Sequence, residues 1–200
     1  MSEPFVAGLV LAAGGSRRLG RPKQLLPYAG ATLLDHTVAS ARACDFDQLI
    51  VALGGEAGKV RERVHLGGTQ VVINPGFGAG CSSSIAVAMG ALDPAATTLV
   101  LMLGDQPGVT PAIVRVLLAA RGEAPIAVCR YDDGRGHPFA FDRTTFEQLR
   151  HLHGDKAVWR MLDERAEEVE EVPIAGRVPL DVDTWADYEA VVAASGRSSA

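Results

Sequence analysis

The sequence predicts an α/β domain built on a largely parallel β-sheet with helices over both faces. Three observations carry that expectation. Short runs rich in Val, Ile and Leu recur at residues 5–12, 48–53, 69–73, 97–103 and 125–130. They are nearly continuous in apolar character, as strands covered on both sides are, and stretches of helical spacing separate most of them. The loops after residues 12, 73 and 103 are rich in glycine and polar groups, as loops at the ligand-binding edge of an open α/β sheet are.

Each element follows from local chemistry. The run 5–12 ends at Ala13-Gly14-Gly15-Ser16, where the chain must turn. Helical spacing then predicts a helix at 31–44 before the strand at 48–53. The strand at 69–73 leads through Asn74-Pro75-Gly76 to a helix at 81–92. After the strand at 97–103, Thr110-Pro111 pairs a capping hydroxyl with proline at the first helical position, so a helix should run to about Arg121, just before Gly122. Beyond the strand at 125–130, helices are expected at 143–150, 155–166 and 184–194. The acidic stretch Asp163 to Glu171 reads as a solvated helix face and its exit. Residues 195–200 are small and polar and read as a disordered tail behind one domain at 1–194, with no repeat and no linker.

Two hundred residues, 48% hydrophobic and 22% charged, suffice for one compact core. A net charge of −5 argues against a general nucleic-acid or membrane-surface role. Cys44, Cys81 and Cys129 are odd in number and lack a C-x-x-C pair, which points to a reducing compartment and to no thiolate metal site. The chain shows no secretory signal pattern and no apolar run of about eighteen residues, so a cytoplasmic protein without a membrane span is expected.

The densest chemistry lies at residues 9–26, where an apolar strand enters a glycine-rich basic loop. Gly14, Gly15 and Ser16 let backbone amides close on an anion, and Arg17, Arg18, Arg21 and Lys23 add charge and forked donors. That combination suits phosphate. The glycine spacing Gly15 to Gly20 matches a P-loop, but Arg21-Pro22 stands where Lys-Ser/Thr must follow, and a proline there is incompatible with the helix a P-loop opens. The G-x-G-x-x-G of a dinucleotide fold is absent.

Leu11-Ala-Ala-Gly-Gly-Ser-Arg-Arg-Leu-Gly20, followed by Lys23, resembles the signature of the nucleotidyltransferases that act on molybdenum cofactor, the MobA-like NTP transferases, in particular their cytidylyltransferase branch. Leu19 replaces the usual Met at similar volume. The resemblance implies a single three-layer Rossmann-like nucleotidyltransferase domain with a mostly parallel, mixed central sheet. It also implies transfer of CMP from CTP to the phosphate of a molybdopterin-type cofactor, with Mg²⁺ and release of pyrophosphate. A molybdoenzyme or its maturation factor would be a further partner. Ala13, where guanylyl-transferring relatives carry Gly, is the reason for expecting cytosine. Transfer from GTP or another triphosphate to a different acceptor such as a sugar phosphate, or a non-catalytic carrier of the finished cofactor, stays open as an alternative.

The remaining motifs divide between turn chemistry and function. Leu99-Val-Leu-Met-Leu103 runs into Gly104-Asp105-Gln106-Pro107, and Asp105 is either a turn residue or a metal ligand at a strand tip. The resemblance implies the latter, with Asp183 of Asp181-Val-Asp-Thr184 as second ligand and Asp181 as its alternative. Asp183 or Thr184 is equally a helix cap. Leu11, Ala12, Ala13, Gly14, Gly15, Ser16, Arg17 and Lys23 would bind the nucleotide, and Lys23, Arg17 and Asp105 would act in catalysis. Asn74 to Ser84 offers hydroxyls at a helix start, and the resemblance places Gly80, Ser82 and Ser83 near the acceptor together with His137 of the Gly136-His137-Pro138 turn. His151 and His153 face opposite ways and make no metal pair. Gly154 to Arg160 resembles a stretch near the acceptor, with Ala157 in place of the usual glycine.

Overall fold

The computed structural model describes residues 4–197. Its first strand, β1 (Val6–Ala12), lies third in a seven-stranded sheet. On one side lie β4 (Gln48–Leu53) and then β5 (Gln70–Ile73), both parallel to it in succession. On the other lie β6 (Thr98–Leu103), parallel, and β8 (Gly134–Asp142), antiparallel to β6. Then come β7 (Ile126–Tyr131) and the edge strand β9 (Val169–Pro173). The sheet is therefore mixed, with β8 as the reversed strand. A two-residue hairpin pairs β2 (Pro27–Tyr28) with β3 (Ala31–Thr32).

Two cores sandwich the sheet, which makes the three layers. Successive residues of β1 alternate between them, as strand geometry requires. Val10 and Ala12 join Val51, Leu53, Val100 and Met102 beneath α1 (Leu33–Arg42), α2 (Ala57–Arg63) and α4 (Pro111–Ala120). Ala7 and Leu9 join Ile50, Ala52, Leu99 and Leu101 against α3 (Cys81–Met89), α5 (Phe146–Arg150) and α6 (Ala157–Glu164). A small third cluster packs α7 (Trp185–Arg197), through Val191 and Tyr188, against Leu19, Leu26, Tyr28 and Leu33.

All five expected strands are present, and so are the six expected helices, each with shifted ends. The helix expected at 31–44 starts at Leu33, because Ala29 and Gly30 both take positive φ and close the hairpin, leaving Thr32 as cap. Thr110 caps α4 as anticipated, its hydroxyl accepting from Ile113 N. Helix α2 and strands β8 and β9 are additions to the sequence reading. The Gly136-His137-Pro138 segment, read as a turn, is extended chain within β8. The acidic stretch leaves the helix after Glu164, and Glu170 and Glu171 lie on the outer strand β9, where charge discourages pairing with another chain. Ser195 to Arg197 of the expected tail belong to α7, and 198–200 lie outside the described residues.

Candidate functional site

The strand ends of β1, β4 and β6 meet at one edge, and the glycine-rich loop after β1 is shaped there by its own side chains. Ser16 turns the backbone at φ 49° and Gly20 at φ 69°. The Ser16 carbonyl accepts from Leu19 N and Gly20 N at 3.1 and 3.2 Å, and its hydroxyl accepts from Lys23 N at 2.9 Å. Leu19 anchors the far side of the loop in the cluster under α7. Gln24, 2% exposed, donates to the carbonyls of Ala12 at 2.7 Å and Gly14 at 3.1 Å. These bonds set the shape of the loop and leave its arginines exposed.

The Gly54-Gly55 pair after β4 packs closely against this loop. A Cβ on Gly54 would lie 2.6 Å from the Ala13 carbonyl oxygen, and one on Gly55 would lie 3.1 Å from Gly15 Cα. Only glycine allows the two loops to approach this closely. Gly104, at the end of β6, repeats the device: its amide donates to Leu11 O at 2.8 Å, and a Cβ there would stand 2.8 Å from that of Ala12.

Asp105 follows Gly104, and oxygens of Asp105, Asp181 and Asp183 lie within 4.8 Å of one another. Lys23 bridges two of them: its Nζ donates to Asp105 Oδ2 and, at 2.9 Å, to Asp183 Oδ1. Arg18 donates to the other Asp183 oxygen at 2.7 Å. Burial favours a neutral Lys23, but Asp105 and Asp183 outweigh it and hold the ammonium above its ordinary pKa of 10.5. Burial pushes the Asp105 carboxyl above the usual 3.8, a push opposed by Lys23 and reinforced by Asp181. The hydrogen bond from Lys23 holds Asp183 below that value, aided by the positive charges of Lys23 and Arg18 against partial burial. Three carboxylates this close form a hard-oxygen donor set suited to Mg²⁺ or Mn²⁺.

A cavity of about 460 Å³ opens over these groups. Its wall brings together Leu11 through Arg17, Lys23, Asp105, Asp183 and Gly80 of the sequence-predicted residues. It does not include Ser82, Ser83 or His137. Ser82 is 3% exposed. The Ser83 hydroxyl is engaged within its own loop, accepting from Asn74 Nδ2 at 2.8 Å and donating to Gly80 O at 2.7 Å. His137 is buried in β8 with its ring stacked on Phe139 at 4.1 Å, and burial pushes its pKa down to about 3, so the imidazole is neutral. In their place the wall carries Phe77, Cys81, Ser84 and Asp155. The Asp155 carboxylate accepts from Cys81 N at 3.1 Å, so the first amide of α3 is already engaged by a side chain of the chain itself. Gly80, at φ 103°, leaves room for it, since a Cβ there would be 2.6 Å from Asp155 Oδ1.

Sequence reading missed Gln24, Gly54, Gly55 and Phe77, and included Asp155 only within the Gly154–Arg160 stretch that the resemblance sets near the acceptor. The adjacent glycines at the end of a predicted strand were a usable signal. The others acquire their role only through contacts across the fold.

Known proteins resemble this chain in sequence and fold. Residues 8–169 match the MobA-like NTP transferase domain. The nicotine blue oxidoreductase of Paenarthrobacter nicotinovorans is 33% identical over 150 residues, covering 70% of this chain and 72% of that protein. The crystal structure of the Rv0371c homologue from Mycobacterium sp. strain JC1 superposes with a TM-score of 0.90 at 51% identity, over 96% of this chain and 98% of that one. Rv0371c from Mycobacterium tuberculosis H37Rv, solved in complex with manganese, has a TM-score of 0.85 at 48% identity, covering 94% and 98%. No helix among the described residues is long and apolar enough to cross a membrane. A glycine-rich basic loop facing clustered carboxylates, on a sheet of this topology and with a family match from the first strand to the last, makes the chain a member of the MobA-like NTP transferase domain family and a nucleotidyltransferase of that type.

Proposed function

We propose that the protein transfers CMP from CTP to the terminal phosphate of a molybdopterin-type cofactor and releases pyrophosphate. The observation that carries this reading is the meeting of the basic loop, Lys23 and the Asp105–Asp183 pair in one cavity. Backbone amides of Ala13 to Ser16 hold the triphosphate, with Arg17 supplying charge from the open side. Cytosine lies against Leu11 to Ala13, where the buried Ala13 methyl narrows the space beside Gly54. The acceptor enters beside Phe77, Gly80 and Asp155, and its phosphate oxygen attacks the α-phosphorus as the bond to the β-phosphate oxygen breaks. Asp105, Asp181 and Asp183 are the residues that would hold Mg²⁺, which when bound neutralises phosphate oxygens. The chain's contribution is alignment and charge neutralisation, with no covalent intermediate required.

Pyrophosphate release, measured with each nucleoside triphosphate against molybdopterin and a panel of sugar phosphates, tests the reading. CTP with molybdopterin is the expected pair. Turnover with a sugar phosphate and none with molybdopterin would overturn the acceptor assignment. The name of the P. nicotinovorans relative supplies a second reading, dye reduction. Oxidation of a nicotinamide cofactor by a quinoid dye, with no pyrophosphate from any triphosphate, would favour it. The missing dinucleotide fingerprint argues the other way.

A further inference from the structure

A cation already stands among the three clustered carboxylates: the ammonium of Lys23, bonded to Asp105 and to Asp183 at 2.9 Å. A divalent ion bound by the same oxygens needs the lone pairs that this ammonium uses. We propose that Lys23 is an exchangeable placeholder for the metal: the incoming ion displaces its ammonium from Asp105 and Asp183, and the released ammonium moves onto the triphosphate. The inference rests on the reading of the metal site just described and adds an order of events to it.

Three observations support the exchange. Oxygens of three carboxylates within 4.8 Å repel one another unless a cation lies among them, and Lys23 is bonded to both Asp105 and Asp183, whereas the exposed Arg18 reaches only Asp183. Lysine is suited to leave, being a compact charge on a flexible stem, whereas a guanidinium fork would be held by two parallel bonds. The stem also runs beside the phosphate loop, since a Cβ on Gly14 would lie 3.8 Å from Lys23 Cε, so the freed ammonium has only a short path to a bound phosphate. Metal and triphosphate binding are then coupled through a single side chain, each favouring the other.

The test is the Mn²⁺ dissociation constant of the nucleotide-free full chain, followed by electron paramagnetic resonance, in the parent and in Lys23→Met and Lys23→Arg. With its internal competitor removed, Lys23→Met is expected to bind Mn²⁺ about tenfold or more tightly than the parent, on the scale of one nearby unit charge, while its affinity for CTP falls. Lys23→Arg is expected to bind Mn²⁺ more weakly than the parent. Equal or weaker binding by Lys23→Met overturns the exchange and leaves the metal site standing. Absence of Mn²⁺ binding in every protein, with or without CTP, overturns the metal site as well. Should Lys23→Met fail to fold, Lys23→Arg decides: parental Mn²⁺ affinity overturns the exchange.

Discussion

At Asp105 a strand tip presents a largely buried carboxylate to the edge that carries the glycine-rich loop, and the Gly104 amide bonded to Leu11 fixes its distance from that loop. Replacing it by alanine removes an electrostatic stabiliser where charge develops. Asp105→Ala is therefore expected to lower kcat at least about a hundredfold, as read by pyrophosphate release. Its thermal stability should fall as well, though by less than the roughly 3–5 kcal/mol of a wholly orphaned buried charge, since Lys23 keeps its bond to Asp183. Gly54 offers a different check. A methyl there must push against the Ala13 carbonyl at 2.6 Å, so Gly54→Ala should destabilise by about 1–3 kcal/mol in thermal unfolding and weaken CTP binding. At this scale the sequence was informative where chemistry is local. The loop from Ala13 to Ser16 with Lys23 stands out by composition next to an apolar run, whereas the Gly-Asp-Gln-Pro stretch reads equally as a turn and only the family resemblance singles out Asp105. Phe77 does not stand out, because a phenylalanine in a glycine loop is an ordinary residue until the fold sets it against the cavity, and Asp155 was noticed only through the resemblance of its stretch.

Among the elements, α1 shows how a helix start can tie distant parts together. Thr32 and Asp35 form a reciprocal capping box, and the Asp35 carboxylate also accepts from His65 N at 2.7 Å, joining α1 to the chain beyond α2. Partial burial pushes Asp35 up, but the hydrogen bonds from His65 and Thr32 outweigh it and hold the carboxyl below 3.8. A group depressed in the folded state stabilises above its unfolded pKa and loses that contribution as pH falls through the lower folded value. Asp35→Ala should thus cost about 1–2 kcal/mol near neutral pH, and the difference from the parent should vanish on acidification well below pH 3.8, as denaturant titrations at several pH values would show. Elements whose apolar spacing is clean, such as β1, β6 and α4, were legible in the sequence. Strand β8 was not, because Gly134, Gly136 and Pro138 are the residues by which a strand is normally discounted. Here the Gly136 position is required by crowding, since a Cβ there would stand 2.8 Å from Val178. Burial of Phe139 and Phe141 against the helices on that face keeps the segment extended.

Across the whole molecule, two cores hold the sheet while the cavity lies at its edge, so ligands act on loops that the cores do not rigidify. Binding to the native state alone raises stability by about 2.7 kcal/mol at a ligand concentration a hundredfold above Kd. For a chain of this size that corresponds to a rise in Tm of roughly 5–10 °C. CTP with Mg²⁺ is expected to produce such a rise, GTP a smaller one, and removal of the metal with a chelator should abolish most of it. Differential scanning fluorimetry checks all three. The class and most of the sheet could be read from the spacing of apolar runs, whereas the reversal of β8 and its place between β6 and β7 depend on long-range pairing that no local pattern encodes.

The contact of α7 and its lead-in with the loop after β1 has a consequence for biosynthesis. Arg18 and Lys23 meet Asp183 across 165 and 160 positions, and Leu19 packs with Val182 and Val191. A nascent polypeptide that has emerged only through β9 carries the glycine turn but neither this aspartate nor the helix that backs the turn. On the proposed reading of the site, competence to hold a triphosphate with its metal is then withheld during translation until α7 docks, and a ribosome stalled before it would present a sheet whose pocket lacks Asp183.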